Sequence, residues 1–180
     1  VLNKPVKRLL KLENFSGLPK NFEAFTSLPE FKASNQICIT SKSGEDLFGA
    51  TGAIWDMHKK NIAAHTSDFT VLNSVFRDSL VSEVFDFTKE YVEKNFRVRL
   101  GRVRFMRLSP KTCYSYHIDD AEFRFHIPLN TNQNCFFVVA DEVYRMDLPF
   151  YLYKLETSKI HTAVNASFEI RDHLVFDTYK

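Results

Sequence analysis

In the segment "SYHIDDAEFRFHIPL", residues 115–129, histidine, aspartate and arginine stand where a strand would ordinarily carry leucine or valine. His117 and Asp119 form an H-x-D pair, and residues at i and i+2 on or just beyond a strand end share a face, so both can point at one ion. Alone, such a pair is a weak signal. A third donor is available downstream in "KIHTAVN", where His161 is flanked by the apolar Ile160 and Ala163. Two imidazoles and one carboxylate on one face of an octahedral ion leave other positions open. That is the arrangement in which iron(II) accepts substrate and dioxygen.

Arg171 lies further along, in "FEIRDHLVFD", between Ile170 and the apolar run Leu174 to Phe176. Arginine stays ionised and presents a planar fork, so an inward-facing arginine here is most simply explained by a bound carboxylate. His173 shares its parity. In "EFRFHIPL", Phe123, Phe125 and Ile127 take one face of a strand while Arg124 and His126 take the other. Two accounts stay open for that polar face: a hydrated edge, or a cavity lined for chemistry.

The elements that must position these residues follow from periodicity. Residues 79 to 96, "SLVSEVFDFTKEYVEKNF", place Leu80, Val84, Phe87 and Tyr91 at helical spacing with Ser79 as a cap, which predicts an amphipathic helix covering a sheet. From Gly101 the period changes to two. About eight strand candidates follow one another, namely "RVRFMRLS", "CYSYH", "EFRFHIPL", "NCFFVVA", "EVYRM", "FYLYKLE", "KIHTAVN" and "FEIRDHLVFD". The expected fold class is mainly β, a double-stranded β-helix or cupin-like jelly roll, with N-terminal helices packed against one sheet. One domain is expected over 1–180, with a mixed helical and strand lead-in over 1–100, where "KRLLKLENF" reads as a first strand, and the jelly-roll core over 101–178.

Composition narrows the function classes. With 18 Phe and only 5 Gly, the chain suits strands packed on both faces rather than a loop-rich scaffold. The net charge of +2 comes from interspersed signs, so no nucleic-acid groove is implied. The basic cluster Lys4, Lys7, Arg8 and Lys11 reads as a solvated edge. No apolar run reaches membrane-span length and no signal-peptide pattern opens the chain, so no membrane partner and a cytoplasmic location are expected. Cys38, Cys113 and Cys135 are odd in number without C-x-x-C spacing, and read as reduced core thiols. Asn14-Phe15-Ser16 and Asn165-Ala166-Ser167 read as turn residues rather than glycosylation sites. His58 and His65, near Trp55, offer either a lid or ordinary packing. Neither a G-x-S-x-G nucleophile motif nor a Gly-rich phosphate loop is present.

Taken together, H-x-D, a distal histidine and an arginine ten residues beyond it resemble the iron(II)- and 2-oxoglutarate-dependent oxygenases. Within them, "RVRFMRLSP", "YSYHIDD", "FRFHIPL" and "IHTAVNAS" followed by Arg171 are similar to the aspartyl/asparaginyl β-hydroxylase-like group, which includes free proline hydroxylases. The resemblance covers roughly residues 102 to 176. It implies His117, Asp119 and His161 as iron ligands and catalytic centre, with Asp120 an alternative carboxylate because it follows Asp119 directly. It also implies Arg171 as the anchor of the 2-oxoglutarate 5-carboxylate, Arg124 as a second anion partner, and His126 behind the metal or near the cosubstrate. The implied activity is hydroxylation of a C–H bond of an amino acid or of an Asp/Asn-type peptide side chain, consuming dioxygen. The rival is a non-catalytic jelly-roll module holding a structural metal or small anion, in which Arg171 would pair with an internal Asp or Glu.

Overall fold

The structure is a computed structural model that describes residues 4–52, 55–56, 61–62 and 64–180. In chain order the strands are β1 (Val6–Lys11), β2 (Gln36–Cys38), β3 (Thr40–Ser41), β4 (Trp55–Asp56), β5 (Asn61–Ile62), β6 (Val71–Leu72) and β7 (Arg99–Leu108). They continue with β8 (Thr112–Cys113), β9 (Arg124–Asn130), β10 (Cys135–Val139), β11 (Glu142–Arg145), β12 (Tyr151–Leu155), β13 (His161–Asn165) and β14 (Arg171–Tyr179). The helices are α1 (Glu23–Thr26), α2 (Pro29–Ser34) and α3 (Leu80–Phe96). The chain forms two compact units. One joins the stretch up to Ser16 with Met106–Val175, and the other joins Gly17–Phe105 with Phe176–Lys180.

In the first unit one sheet runs in the order β1-β12-β9-β14-β7 and a second in the order β11-β10-β13-β8. Val6, Leu108, Tyr153 and Leu155 from the first sheet pack against Phe137, Val139 and Ala163 from the second in one apolar cluster. Two sheets closed over a shared core are the expected double-stranded β-helix, mainly β and jelly-roll in kind. The arrangement settles the polar face of β9. That strand lies between β12 and β14, so it has no hydrated edge: Phe125 and Ile127 are 0% exposed on one side and His126 only 6% exposed on the other. The residues of "CYSYH" depart from expectation. Only Thr112–Cys113 forms a strand there, and the segment rejoins β13 through a single bridge at His117. The lead-in stretch contributes β1, which pairs antiparallel with β12 and leaves Lys7, Arg8 and Lys11 exposed, as suits an edge strand.

The second unit builds its core on aromatic contacts. The Phe22 ring stacks on Phe105 of β7 at 4.4 Å between centroids, and Phe31 of α2 meets the same ring at 5.9 Å, so the N-terminal helical segments pack against one sheet. Helix α3 begins where Ser79 accepts a hydrogen bond from the Val81 amide at 3.2 Å, as its sequence predicts. Its buried stripe is Val81, Val84, Phe85, Thr88 and Val92, one column away from the expected Leu80, Val84, Phe87 and Tyr91. Both columns have helical spacing; the difference is that Phe87 is 44% exposed and stacks on Tyr91 instead of entering the core. In the same unit Arg102 and Arg104 share the buried carboxylate of Asp177. No helix among the described residues is long and apolar enough to cross a membrane.

Candidate active site

His117 and His161 form an antiparallel bridge in which each backbone N–H donates to the other's carbonyl, at 3.0 and 2.9 Å. Paired residues put their side chains on the same face, and here the ring centroids are 4.4 Å apart. The rings are oriented alike. Nδ1 of His117 lies 2.8 Å from the Ser115 carbonyl and Nδ1 of His161 lies 2.9 Å from the Lys159 carbonyl, in each case the residue two before it. A carbonyl accepts only, so each Nδ1 carries a proton, and in the neutral ring Nε2 is then the nitrogen with the lone pair. Both Nε2 atoms face Asp119, at 3.9 Å from its Oδ1 for His117 and 3.4 Å from its Oδ2 for His161.

Asp119 is held from two sides. Its amide donates to the Thr157 carbonyl at 3.0 Å, and its Oδ2 forms an ion pair with Arg124 Nη1 at 2.6 Å. The guanidinium thereby compensates a carboxylate whose side chain is only 14% exposed. Arg124 thus has a partner other than the one the resemblance implies, since it reaches the metal-ligating carboxylate of the pattern. Asp120, by contrast, is exposed. One donor atom each from His117, Asp119 and His161 lies within 4.8 Å of the others. Imidazoles with their far nitrogens tied to carbonyls, plus a carboxylate steadied by an arginine, are a donor set and outer support that suit a divalent transition metal.

Behind β13, Arg171 is buried at 5% exposure. Its guanidinium carbon sits 4.8 Å from the Phe137 ring centroid, and Nη2 lies 3.2 Å from Nδ1 of His173. Among the described residues, no carboxylate lies within ion-pair distance of it. Burial pushes the guanidinium down to about 10, which still leaves it cationic at neutral pH. His173 is 1% exposed and is held well below the ordinary histidine range, first by burial and then by the neighbouring charge of Arg171. His126 joins this group, with its Nδ1 3.4 Å from Nδ1 of His173 and its ring edge-on to Phe137. A buried cation with no carboxylate within ion-pair distance among the described residues, set beside two histidines and a phenylalanine ring, is chemistry suited to an anion.

Other expectations fall into place or stay outside. Asp172 is taken by Arg107 through two hydrogen bonds of 2.8 and 2.9 Å, so the acidic neighbour in sequence is not the partner of Arg171. Asn165 is 0% exposed, and its side chain donates to the carbonyls of Leu108, Ser109 and Glu169 while accepting from Ser167, a structural turn in place of a glycosylation site. His65 caps a 3-10 turn at Thr66–Asp68, and His58 lies outside the described residues. Residue pattern alone missed the Arg124–Asp119 pair and the Phe137 ring beneath Arg171. The first had a signal in the need to neutralise a buried carboxylate, whereas the second depends on which strand lies opposite.

Comparison with known proteins gives the following likenesses. A family model described as aspartyl/asparaginyl beta-hydroxylase matches residues 75–180. The truncated viral collagen prolyl hydroxylase vCPH from Paramecium Bursaria Chlorella virus-1 is similar over 97% of this chain and 89% of its own, at 8% identity and a TM-score of 0.57. IDO from Bacillus thuringiensis is similar over 98% of this chain and 94% of its own, at 13% identity and a TM-score of 0.55. An oxidoreductase of the 2OG-Fe(II) oxygenase family from Burkholderia pseudomallei aligns over 61% of this chain at 15% identity and a TM-score of 0.48, and the match spans 60% of that protein's length. At such identities the likeness is one of fold. Among curated protein sequences none matches.

Proposed function

Because the chain belongs to the aspartyl/asparaginyl beta-hydroxylase family, we propose that it is an iron(II)- and 2-oxoglutarate-dependent dioxygenase. Its substrate is an amino acid or an Asp/Asn-type side chain in a peptide. The observation that carries this reading is the convergence of His117, Asp119 and His161 on one another. These three residues would hold iron(II), their lone pairs directed by the carbonyls of Ser115 and Lys159 and by Arg124. When bound, iron(II) with 2-oxoglutarate supplies the oxidising power of dioxygen, with succinate and carbon dioxide as by-products.

The protein's contribution is orientation and shielding. Arg171 provides the fixed cation for the far carboxylate of 2-oxoglutarate, a role supported by its burial without an internal carboxylate partner among the described residues. That same observation speaks against the non-catalytic module, which needs an internal Asp or Glu on Arg171. His126, His173 and Phe137 exclude water from around the guanidinium, so that its attraction for an anion is not screened. Cys38 and Cys135 are buried, as expected of core thiols, whereas Cys113 is exposed; three cysteines without C-x-x-C spacing suit the cytoplasmic setting proposed here.

Anaerobic addition of iron(II) and then 2-oxoglutarate to the purified protein tests the reading. A visible charge-transfer band, lost in His161→Ala, is expected. A folded protein that develops no band supports the binding module instead. Succinate release stimulated by individual amino acids and peptides then identifies the substrate.

A further inference from the structure

The Arg171 pocket contains one residue that the proposed reaction does not itself call for. His173 stands two positions after Arg171 on β14, so both side chains share a face of the strand. Its Nδ1 is 3.2 Å from Arg171 Nη2. Arginine can only donate, so this Nδ1 must be the acceptor and the ring proton must sit on Nε2. The approach of His126 Nδ1 to the same atom at 3.4 Å adds a second donor to one acceptor, consistent with that tautomer. Nε2 of His173 is itself buried without a hydrogen-bond partner.

We propose that His173 is a positioning residue for the cosubstrate: as a neutral acceptor on one nitrogen of Arg171, it fixes the plane of the guanidinium so that the rest of the fork is presented to an incoming carboxylate. The inference rests on the reading of Arg171 as the 2-oxoglutarate anchor and assigns how that anchor is aimed. A long side chain such as arginine is held in one geometry only when its own donors and stem are fixed. Here Phe137, with its ring centroid 4.8 Å from the guanidinium carbon, fixes the plane from one side, and His173 fixes the rotation within it. A leucine at 173 has nearly the right volume and no acceptor, and would leave one buried donor of Arg171 unpaired and its orientation unspecified. An asparagine retains an acceptor oxygen.

The experiment measures 2-oxoglutarate affinity by anaerobic calorimetry on manganese(II)-loaded wild type, His173→Leu, His173→Asn and Arg171→Met, with manganese(II) affinity measured alongside. His173→Leu is expected to weaken 2-oxoglutarate binding by about tenfold. His173→Asn should stay within about threefold of wild type, and metal affinity should be unchanged in both. Equal 2-oxoglutarate affinity in His173→Leu and wild type overturns the inference while leaving Arg171 as anchor, whereas equal affinity in Arg171→Met and wild type overturns the anchor itself. A measurement on the unsubstituted protein covers the case in which the leucine variant does not fold. Nitrogen-15 NMR should show His173 with its proton on Nε2, and a proton on Nδ1 overturns the proposal because that atom could then accept nothing from Arg171.

Discussion

His117 and His161 exchange both backbone hydrogen bonds across one antiparallel bridge, and each ring is tied through Nδ1 to the carbonyl two residues before it. The two imidazoles are therefore aimed by backbone hydrogen bonds, with Nε2 of each turned towards Asp119. Replacing His161 by Ala removes a donor that is 3% exposed and leaves the bridge intact. Affinity for nickel(II) or iron(II), measured by competition with a chromophoric chelator, should fall at least about 100-fold with the circular dichroism spectrum unchanged. Binding as tight as wild type would remove His161 from the site.

Asp119 and Asp120 should separate cleanly. Asp119 faces both histidines and carries Arg124, whereas Asp120 is exposed. Asp119→Asn should weaken metal binding by at least about tenfold, and Asp120→Asn should change it by less than about twofold. The reverse ranking would show that the loop presents the other carboxylate.

Acid should destabilise the protein through His173. The folded state keeps this imidazole neutral well below its ordinary 6.5, so below that pH the unfolded chain binds a proton that the folded one refuses. The stability tied to His173 is thus fully present above about pH 6.5 and declines below it, by up to about 1.4 kcal/mol per pH unit until the folded-state value is reached. Urea midpoints at pH 7.5, 6 and 5 measure this fall, which should be shallower by about one proton in His173→Leu. Parallel pH profiles for the two proteins would contradict a buried neutral ring.

Asn165 joins the end of β13 to the turn that leads into Arg171. Its amide serves the carbonyls of Leu108, Ser109 and Glu169, and its oxygen receives the Ser167 amide and hydroxyl. Asn165→Ala leaves several buried polar groups without partners and should cost about 3 kcal/mol in urea unfolding. A loss under about 0.5 kcal/mol would mean that water replaces the amide without penalty.

On α3 the two phenylalanines should differ sharply. Phe85 is 7% exposed and Phe87 is 44% exposed. Phe85→Ala should cost about 3 kcal/mol or more, and Phe87→Ala less than about 1 kcal/mol, by thermal or urea unfolding. Equal costs would mean that the exposed ring is covered in solution.

Local pattern was enough for a good part of this molecule. The change of period near Gly101 marks seven of the eight strands that follow, all but the short β8, because side-chain direction alternates along any strand whatever it pairs with. Ser79 announces the start of α3 because a cap acts within one turn. The H-x-D spacing and the downstream His161 and Arg171 were legible because donor chemistry is a property of residue type. What lies across a strand is a different matter. Whether Phe85 or Phe87 turns inward depends on what the helix rests against, since both columns have the same spacing. The partner of Arg124 and the ring beneath Arg171 were decided by β9, β10, β13 and β14 lying in two facing sheets, and so was the absence of a carboxylate on Arg171 among the described residues. Coulombic and hydrogen-bonding terms act over a few ångströms of space. Only the tertiary structure, which brings distant segments within that range, could say which charge meets which.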